Sequence, residues 1–272
     1  MTTPRPDSGQ PFGPAPAEDP LVLRLRAAGC VFAEDEARLL CEAAGDGAEL
    51  EALAARRIAG EPLESVVGWA EFFGLRIAVE PGVFVPRKRS ELVVREAARL
   101  AAAARAGAVV VDLCCGSGAI GAAVASVVPG IELHVADVDP VAVGVARRNM
   151  RPFAGRAHTG DLFAALPASL RGRVAVIAAN APYVPSAEIA LMPPEARDYE
   201  PLAALDGGAD GLDLHRRVAA GAGEWLAPGG ALLIETSKHQ APTTAAILTA
   251  AGFSVRIMRD PEIGGTVAVA HR

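Results

Sequence analysis

From residue 109 onward, short apolar runs of strand length alternate with stretches of helical character. Val109, Val110 and Val111 form a β-branched run that reads as a buried parallel strand, closed by Asp112. A glycine-rich turn follows, and a helix is expected from Ala119. Ile131 to Ala136 reads as the second strand, ending at Asp137. Pro140 sits at a favoured first-turn position and opens a helix running to about Met150. Ala157–Thr159, Val174–Ala179 and Ala231–Glu235 read as three further strands. Phe253–Met258 and Thr266–Ala270 read as a closing hairpin. This alternation predicts an α/β fold, a doubly wound and mostly parallel sheet. Ligands in such sheets bind at the carboxyl ends of the strands. Asp112, Asp137, Asp161 and Asn180 each follow a predicted strand, so four polar groups converge on one edge.

The first third of the chain has a different pattern. Residues 1–20 carry six prolines and little apolar content, and read as a disordered tail. Residues 21–65 read as a small helical domain. Leu21, Leu25 and Ala28 fit one helical face, Leu39, Leu40 and Ala43 a second, and Leu50, Leu53, Ala54 and Ile58 a third. Residues 66–90 read as a β-hairpin linker, with strands at Phe72–Val79 and Val83–Val85 turning at Glu80-Pro81-Gly82. Pro86-Arg87-Lys88-Arg89 is a tight basic cluster with two readings, a solvated loop or a loop at the mouth of a ligand site. Glu91 to Ala104 reads as an alanine-rich helix, and residues 91–272 as the catalytic domain.

Composition narrows the class. The chain has 272 residues, of which 51% are hydrophobic and 21% charged, enough for a large core; its net charge is −6. The acidic balance disfavours bulk nucleic-acid binding, so no direct nucleic-acid partner is expected. Cys30, Cys41, Cys114 and Cys115 form no C-x-x-C pair, and Cys114 and Cys115 read as small packing residues. No charged-then-apolar leader opens the chain and no apolar run reaches membrane length, so a cytoplasmic location and no membrane association are expected. The five histidines show no ligand spacing, and no metal is expected.

The chemistry centres on the turn after the first strand. Gly116-Ser117-Gly118-Ala119-Ile120-Gly121 is a literal G-x-G-x-x-G, with Asp137 at about the spacing of a ribose contact. Taken alone this suggests a nicotinamide-dependent oxidoreductase. However, Asp112-Leu113-Cys114-Cys115 stands between the apolar run and the first glycine, whereas the dinucleotide fingerprint comes directly off its strand. A carboxylate after a strand also commonly caps a loop or helix, and Asn180 can serve turn chemistry.

The acid-x-small-x-Gly-x-Gly pattern resembles the first motif of class I S-adenosylmethionine (SAM) methyltransferases. Asn180-Ala181-Pro182-Tyr183 resembles the Asn-Pro-Pro-Tyr motif of amino-group methyltransferases. More narrowly, much of residues 60–260 resembles the protein-(glutamine-N5) methyltransferases that modify peptide chain release factors. The matching stretches are G-E-P-L at 60–63, E-F-F-G-L at 71–75, F-V-P-R at 84–87 with Glu91, and D-L-C-C-G-S-G-A-I at 112–120. They continue with A-D-V-D-P at 136–140, R-R-N at 147–149, G-D-L-F at 160–163 and P-P-E-A-R-D-Y-E-P-L-A-A-L at 193–205.

The resemblance implies a Rossmann-like seven-stranded sheet, SAM as cofactor with S-adenosylhomocysteine as product, and a release factor as protein substrate. It also implies roles. The backbone around Cys114, Cys115, Gly116, Ser117 and Gly118 would wrap the methionine part of SAM, and Asp112 and Asn180 would also belong to the cofactor site. Asp137, beside Val138, would accept from the ribose hydroxyls, and Asp161 and Leu162 would border the adenine. Asn180 and the Ala181 carbonyl would accept from the substrate's NH2 group, with Pro182 and Tyr183 shaping that pocket. Two departures bear on the substrate. Ala181 stands where the family has its first proline, and Lys88-Arg89-Ser90 stands where Pro-Asp-Thr is usual. A different protein, a nucleic-acid amine or a small-molecule amine is the alternative acceptor, and a non-catalytic binding module is a further one.

Overall fold

The computed structural model describes residues 19–272 and divides the chain into two compact units, Met1–Leu63 and Glu64–Arg272. The proline-rich tail lies outside the described residues except for its last two, which open the first helix rather than continue the tail. Asp19 caps that helix by accepting the Leu21 N–H, and Pro20 occupies the first turn, where no amide hydrogen is needed.

Among its described residues the N-terminal unit holds three helices, α1 (Pro20–Ala27), α2 (Ala33–Ala43) and α3 (Gly47–Ile58). Leu21, Leu25, Ala33, Ala37, Leu40 and Ala54 are buried between them, while Ala28 is exposed. Arg57 and Glu36, both largely buried, form an ion pair of 2.6 Å that ties α3 to α2. Helix α4 (Leu63–Val67) follows.

Next comes an antiparallel hairpin of β1 (Trp69–Phe72) and β2 (Leu75–Ala78), with Phe72 opposite Leu75. This corrects the expected register. The strands turn at Phe73-Gly74, whose φ angles of 52° and 73° are those of a two-residue primed turn matched to strand twist. Glu80-Pro81-Gly82 does turn, with the Val83 N–H donating to the Glu80 carbonyl at 3.1 Å, but Val83–Val85 is not a strand. The Val85 N–H goes instead to the Glu200 carboxylate, 3.2 Å away.

The sheet has seven strands: β3 (Val109–Leu113), β4 (Glu132–Asp137), β5 (Arg156–Thr159), β6 (Val174–Ala179), β7 (Leu226–Glu235), β8 (Ser254–Asp260) and β9 (Gly265–His271). Their order is β5-β4-β3-β6-β7-β9-β8, with β5 through β7 parallel and β9 antiparallel to both its neighbours. Seven helices complete the unit: α5 (Glu91–Ala103), α6 (Ala119–Val127), α7 (Pro140–Met150), α8 (Pro194–Tyr199), α9 (Leu202–Leu205), α10 (Asp213–Trp225) and α11 (Ala241–Ala250). Side-chain alternation splits the core into two layers. Val110, Val135, Val176 and Leu233 pack with residues of α5, α6 and α7. Val111, Ile177, Leu232 and Ile234 pack with Val218, Trp225 and Leu248 of α10 and α11. Among the described residues no helix is long and apolar enough to cross a membrane.

Candidate active site

The chain leaves β3 towards β4 on one side, and β6 leads to β7 on the other. The crevice beyond β3 is therefore the topological switch point of the sheet. A cavity of about 510 Å³ opens there, within the size range of small-ligand pockets. Its walls come from the glycine turn, the ends of β4 and β6, the segment at 82–90, and α9 and α10.

The turn is built from left-handed residues. Cys114, Gly116 and Gly118 have φ of 54°, 52° and 75°. A Cβ on Gly118 would sit 3.0 Å from the Met150 side chain and 3.2 Å from Ala146, so glycine allows the turn to lie against α7. The Gly116 N–H donates to Asp137 Oδ2 at 2.8 Å, and the Asp139 N–H to Oδ1 at 3.0 Å. Asp137 thus links the ends of β3 and β4. Each oxygen retains a further lone pair for a ligand. Burial raises the Asp137 pKa above the ordinary aspartate value.

Asn149 joins this turn to the hairpin. Its side chain accepts from the Ala78 N–H and donates to the carbonyls of Ala78 and Ser117, all between 2.9 and 3.0 Å. The R-R-N stretch signalled this residue but not its role.

Cys114 is the one turn residue whose conformation conflicts with its type. An L-residue in the left-handed region is strained by roughly 1–2 kcal/mol, a cost glycine escapes. Cys114→Gly is therefore expected to leave stability within about 1 kcal/mol of wild type, relief offsetting the added entropy of the unfolded chain. Cys115→Gly, which gains no such relief, is expected to destabilise. Denaturant midpoints of the two variants check this.

Asp112 lies inside β3, paired with Val135 and Ala178, rather than closing the strand. It is 1% exposed and lies beneath the turn, outside the cavity wall, as does Gly118. Its Oδ2 accepts the Gly121 N–H at 2.9 Å, while Oδ1 has no protein partner. Gly121 allows this contact, since a Cβ there would meet Val135 at 2.8 Å. Burial pushes the Asp112 pKa from 3.8 up to about 7, against the Gly121 hydrogen bond and with the Asp137 charge adding. The folded protein then holds this proton more tightly than the unfolded chain. That contribution is complete below pH 3.8 and is lost as pH rises towards and past about 7. Asp112→Asn keeps the acceptor without the charge. It is expected to flatten the decline in stability across this window, as read from urea midpoints at a series of pH values.

At the opposite wall, β6 delivers Asn180. The Asn180 amide nitrogen donates to Ser90 Oγ at 3.4 Å, which leaves its oxygen for the cavity. Pro182 borders the cavity too. Ala181 and Tyr183 line an adjoining cavity of about 250 Å³, which shares Phe84, Pro182 and Ala204 with the first. The Tyr183 hydroxyl donates to Glu235 Oε1 at 3.3 Å, and burial with the neighbouring Glu235 charge pushes its pKa up to about 12. The loop at 206–211 straps this segment down. Gln240 donates to the Tyr183 carbonyl at 2.8 Å, and a Cβ on Gly211 would meet that carbonyl at 2.3 Å.

Val138, Asp161 and Leu162 border the far end of the first cavity. Asp161 there pairs with Arg217 at 2.5 Å across exposed surface. Sequence reasoning did not single out Arg217, Gln240, Glu200 or Glu235. The basic cluster divides between its two readings. Lys88 is exposed, but Arg87 pairs with Glu200 at 2.6 Å and Arg89 with Glu235 at 3.1 Å, and both glutamates are buried. Pro86 and Ser90 border the larger cavity.

The methyltransferase small domain family matches residues 74–191. A release factor glutamine methyltransferase of Geobacter sulfurreducens is 40% identical over 203 residues, covering 74% of this chain and 69% of that protein. The chain belongs to the release factor glutamine methyltransferase family. Another relative of this family member is the 4-amino-L-phenylalanine/4-methylamino-L-phenylalanine methyltransferase of Streptomyces pristinaespiralis, 38% identical, with 72% of this chain and 68% of that one covered. Among solved structures, a methyltransferase from Pyrococcus furiosus has the same fold, with a TM-score of 0.54 at 18% identity over 73% of this chain and 89% of that one.

The chain is a SAM-dependent methyltransferase, and its crevice fits that cofactor. The half-buried Asp137 carboxylate with spare lone pairs suits a diol, the apolar Val138 and Leu162 suit a flat ring, and the turn offers close backbone approach. The G-x-G-x-x-G therefore does not mark an oxidoreductase. The sheet departs from the 3-2-1-4-5-6 order of dinucleotide folds through the antiparallel β9 inserted beside β7.

Proposed function

We propose that this chain methylates the side-chain amide nitrogen of a glutamine in a peptide chain release factor, with SAM as the methyl donor. The observation that carries this reading is the end of β6. There an uncharged acceptor, Asn180, faces the same cavity as the Asp137 carboxylate.

In this reading Asp137 holds the ribose hydroxyls, Val138, Asp161 and Leu162 border the adenine, and the turn from Cys114 to Gly118 wraps the methionine part. Asp112 supports that turn from below through Gly121. Bound SAM supplies a methyl group made electrophilic by its sulfonium charge. The acceptor amide is a poor nucleophile, because its lone pair is shared with the carbonyl. Asn180 Oδ1 and the Ala181 carbonyl grip its two N–H bonds, aim the nitrogen and favour a more localised lone pair. Pro182 and Tyr183 wall the pocket and keep water from it. Catalysis then rests on orientation and electrostatics, without a strong base. Asn180, being neutral, does not trap the proton that the nitrogen sheds. The reading also takes the protein as cytoplasmic, a reducing compartment in which all four cysteines remain thiols.

The test is methyl transfer from labelled SAM to a purified release factor, beside the same factor with its acceptor glutamine changed to alanine. Label confined to the unaltered factor supports the reading. No label on either, with SAM still bound, sinks it. A second reading, methylation of a small aromatic amine, draws on the Streptomyces pristinaespiralis relative and on the altered pocket wall at Ala181. Transfer to 4-aminophenylalanine in the same assay would favour it.

A further inference from the structure

Alanine at position 181 removes a backbone constraint from the acceptor loop, since proline fixes φ and alanine does not. The loop is nevertheless held at both of its ends by one short 3-10 turn, Lys88–Ser90. At one end, Ser90 Oγ, 2% exposed, receives the Asn180 amide N–H. At the other, Arg89 Nε donates to Glu235 Oε1, the same oxygen that accepts from the Tyr183 hydroxyl. The Arg89 guanidinium also lies 6.0 Å from the centre of the Tyr183 ring.

This anchorage is built into the sheet. Glu235 is the last residue of β7 and is 1% exposed, so its carboxylate is a fixed point. The turn itself rests against the start of β9. A Cβ on Gly265 would lie 2.8 Å from the Arg89 carbonyl and 3.0 Å from Leu92, so glycine there lets the turn seat. A buried carboxylate without a cation is costly, which gives Arg89 a strong reason to stay paired.

We propose that Arg89 and Ser90 are positioning residues for the acceptor loop: Arg89, acting through Glu235 and Tyr183, and Ser90, acting through Asn180, supply the rigidity that a proline at position 181 would give. The proposal rests on the reading of Asn180–Tyr183 as the acceptor site. It places a specificity for the amide geometry in a basic segment that sequence reading assigns to solvent or to the cavity mouth.

The experiment is a double-mutant cycle on the full chain, comparing Arg89→Ala and Ser90→Ala in the natural background and in Ala181→Pro. In the natural background each is expected to lower kcat on the release factor by about 30-fold, the scale of a small misplacement of the reacting groups, with KM for SAM unchanged. In the Ala181→Pro background the same changes are expected to cost only about three-fold. Arg89→Lys, which keeps the charge, is expected to recover part of the loss. Equal losses in both backgrounds, or losses that appear in KM for SAM, overturn the proposal.

A second readout needs no substrate. The Val184 and Ser186 N–H groups are bonded to the carbonyls of Leu205 and Gly208. Their hydrogen exchange is expected to quicken in Arg89→Ala and to slow again when Ala181→Pro is added. Unchanged exchange in Arg89→Ala overturns the proposal whether or not a release factor is the substrate. Altered exchange with no methylation by the natural chain overturns the acceptor assignment instead.

Discussion

Asn180→Ala is expected to lower kcat/KM for methyl transfer by about 10³-fold, a loss of roughly 4 kcal/mol of transition-state stabilisation, while the protein stays folded and binds SAM within a few-fold of wild type. The magnitude follows from the chemistry of the acceptor. An amide nitrogen reacts only when its lone pair is turned out of conjugation, and the group that favours this must be stronger in the transition state than before it. Asn180 stands at the end of β6 and its nitrogen is committed to Ser90, so its oxygen is the fixed acceptor at the cavity wall. Alanine removes the acceptor without disturbing the strand, whose buried residues end at Ala179. The loss should therefore fall on kcat rather than on KM for SAM. Retention of more than about a tenth of the activity would mean that the acceptor amide is gripped elsewhere. Asn180→Asp separates the terms further, since it keeps an oxygen acceptor, gives up the donor to Ser90 and adds a charge that holds the departing proton.

Asp137→Ala is expected to weaken SAM binding by about 10²- to 10³-fold, because one side chain performs three tasks, each a charge-assisted hydrogen bond of about 1.5–3 kcal/mol at most. It accepts from Gly116, accepts from Asp139, and presents its remaining lone pairs to the cavity. Removing it frees the glycine turn and, in the proposed reading, takes away the ribose contact as well. Titration calorimetry measures the loss directly, and a dissociation constant within about three-fold of wild type would remove Asp137 from the site. pH gives an independent check. Burial raises the pKa of Asp137, so the carboxylate takes up a proton at a higher pH than an ordinary aspartate. Protonation costs an acceptor position. SAM affinity is therefore expected to fall on acidification, starting above the usual carboxylate range of about 4, and Asp137→Asn is expected to show a weaker and pH-independent affinity.

The same residues show how far local pattern reaches. Val174–Ala179 is a continuous apolar run ended by a polar residue, and β6 has those bounds with Asn180 next. Pro140 opens α7 and Met150 ends it, as the first-turn proline predicts. The parallel strands, and the polar ends of β4 and β6, were legible because strand burial and strand termination are written in neighbouring residues; Asp112, one residue inside the end of β3, was not. The hairpin was misregistered because the turn that forms, Phe73-Gly74, puts a bulky residue at positive φ, whereas Glu80-Pro81-Gly82 looks the better turn on composition alone.

By itself, then, the sequence determined the alternating α/β architecture, the glycine turn after β3, and the place of Asp137 and Asn180 at strand ends. Each depends on residues within a few positions of one another. The tertiary structure alone decided the strand order, with β9 antiparallel between β7 and β8, and the partners of the charges around the acceptor loop. Arg87 finds Glu200 at 113 residues' separation, and Arg89 finds Glu235 at 146. Arginine and glutamate are ordinarily surface residues, so nothing local marks two glutamates for burial. They are buried because chain segments far apart in sequence meet there, and each carries a carboxylate to where an arginine can neutralise it.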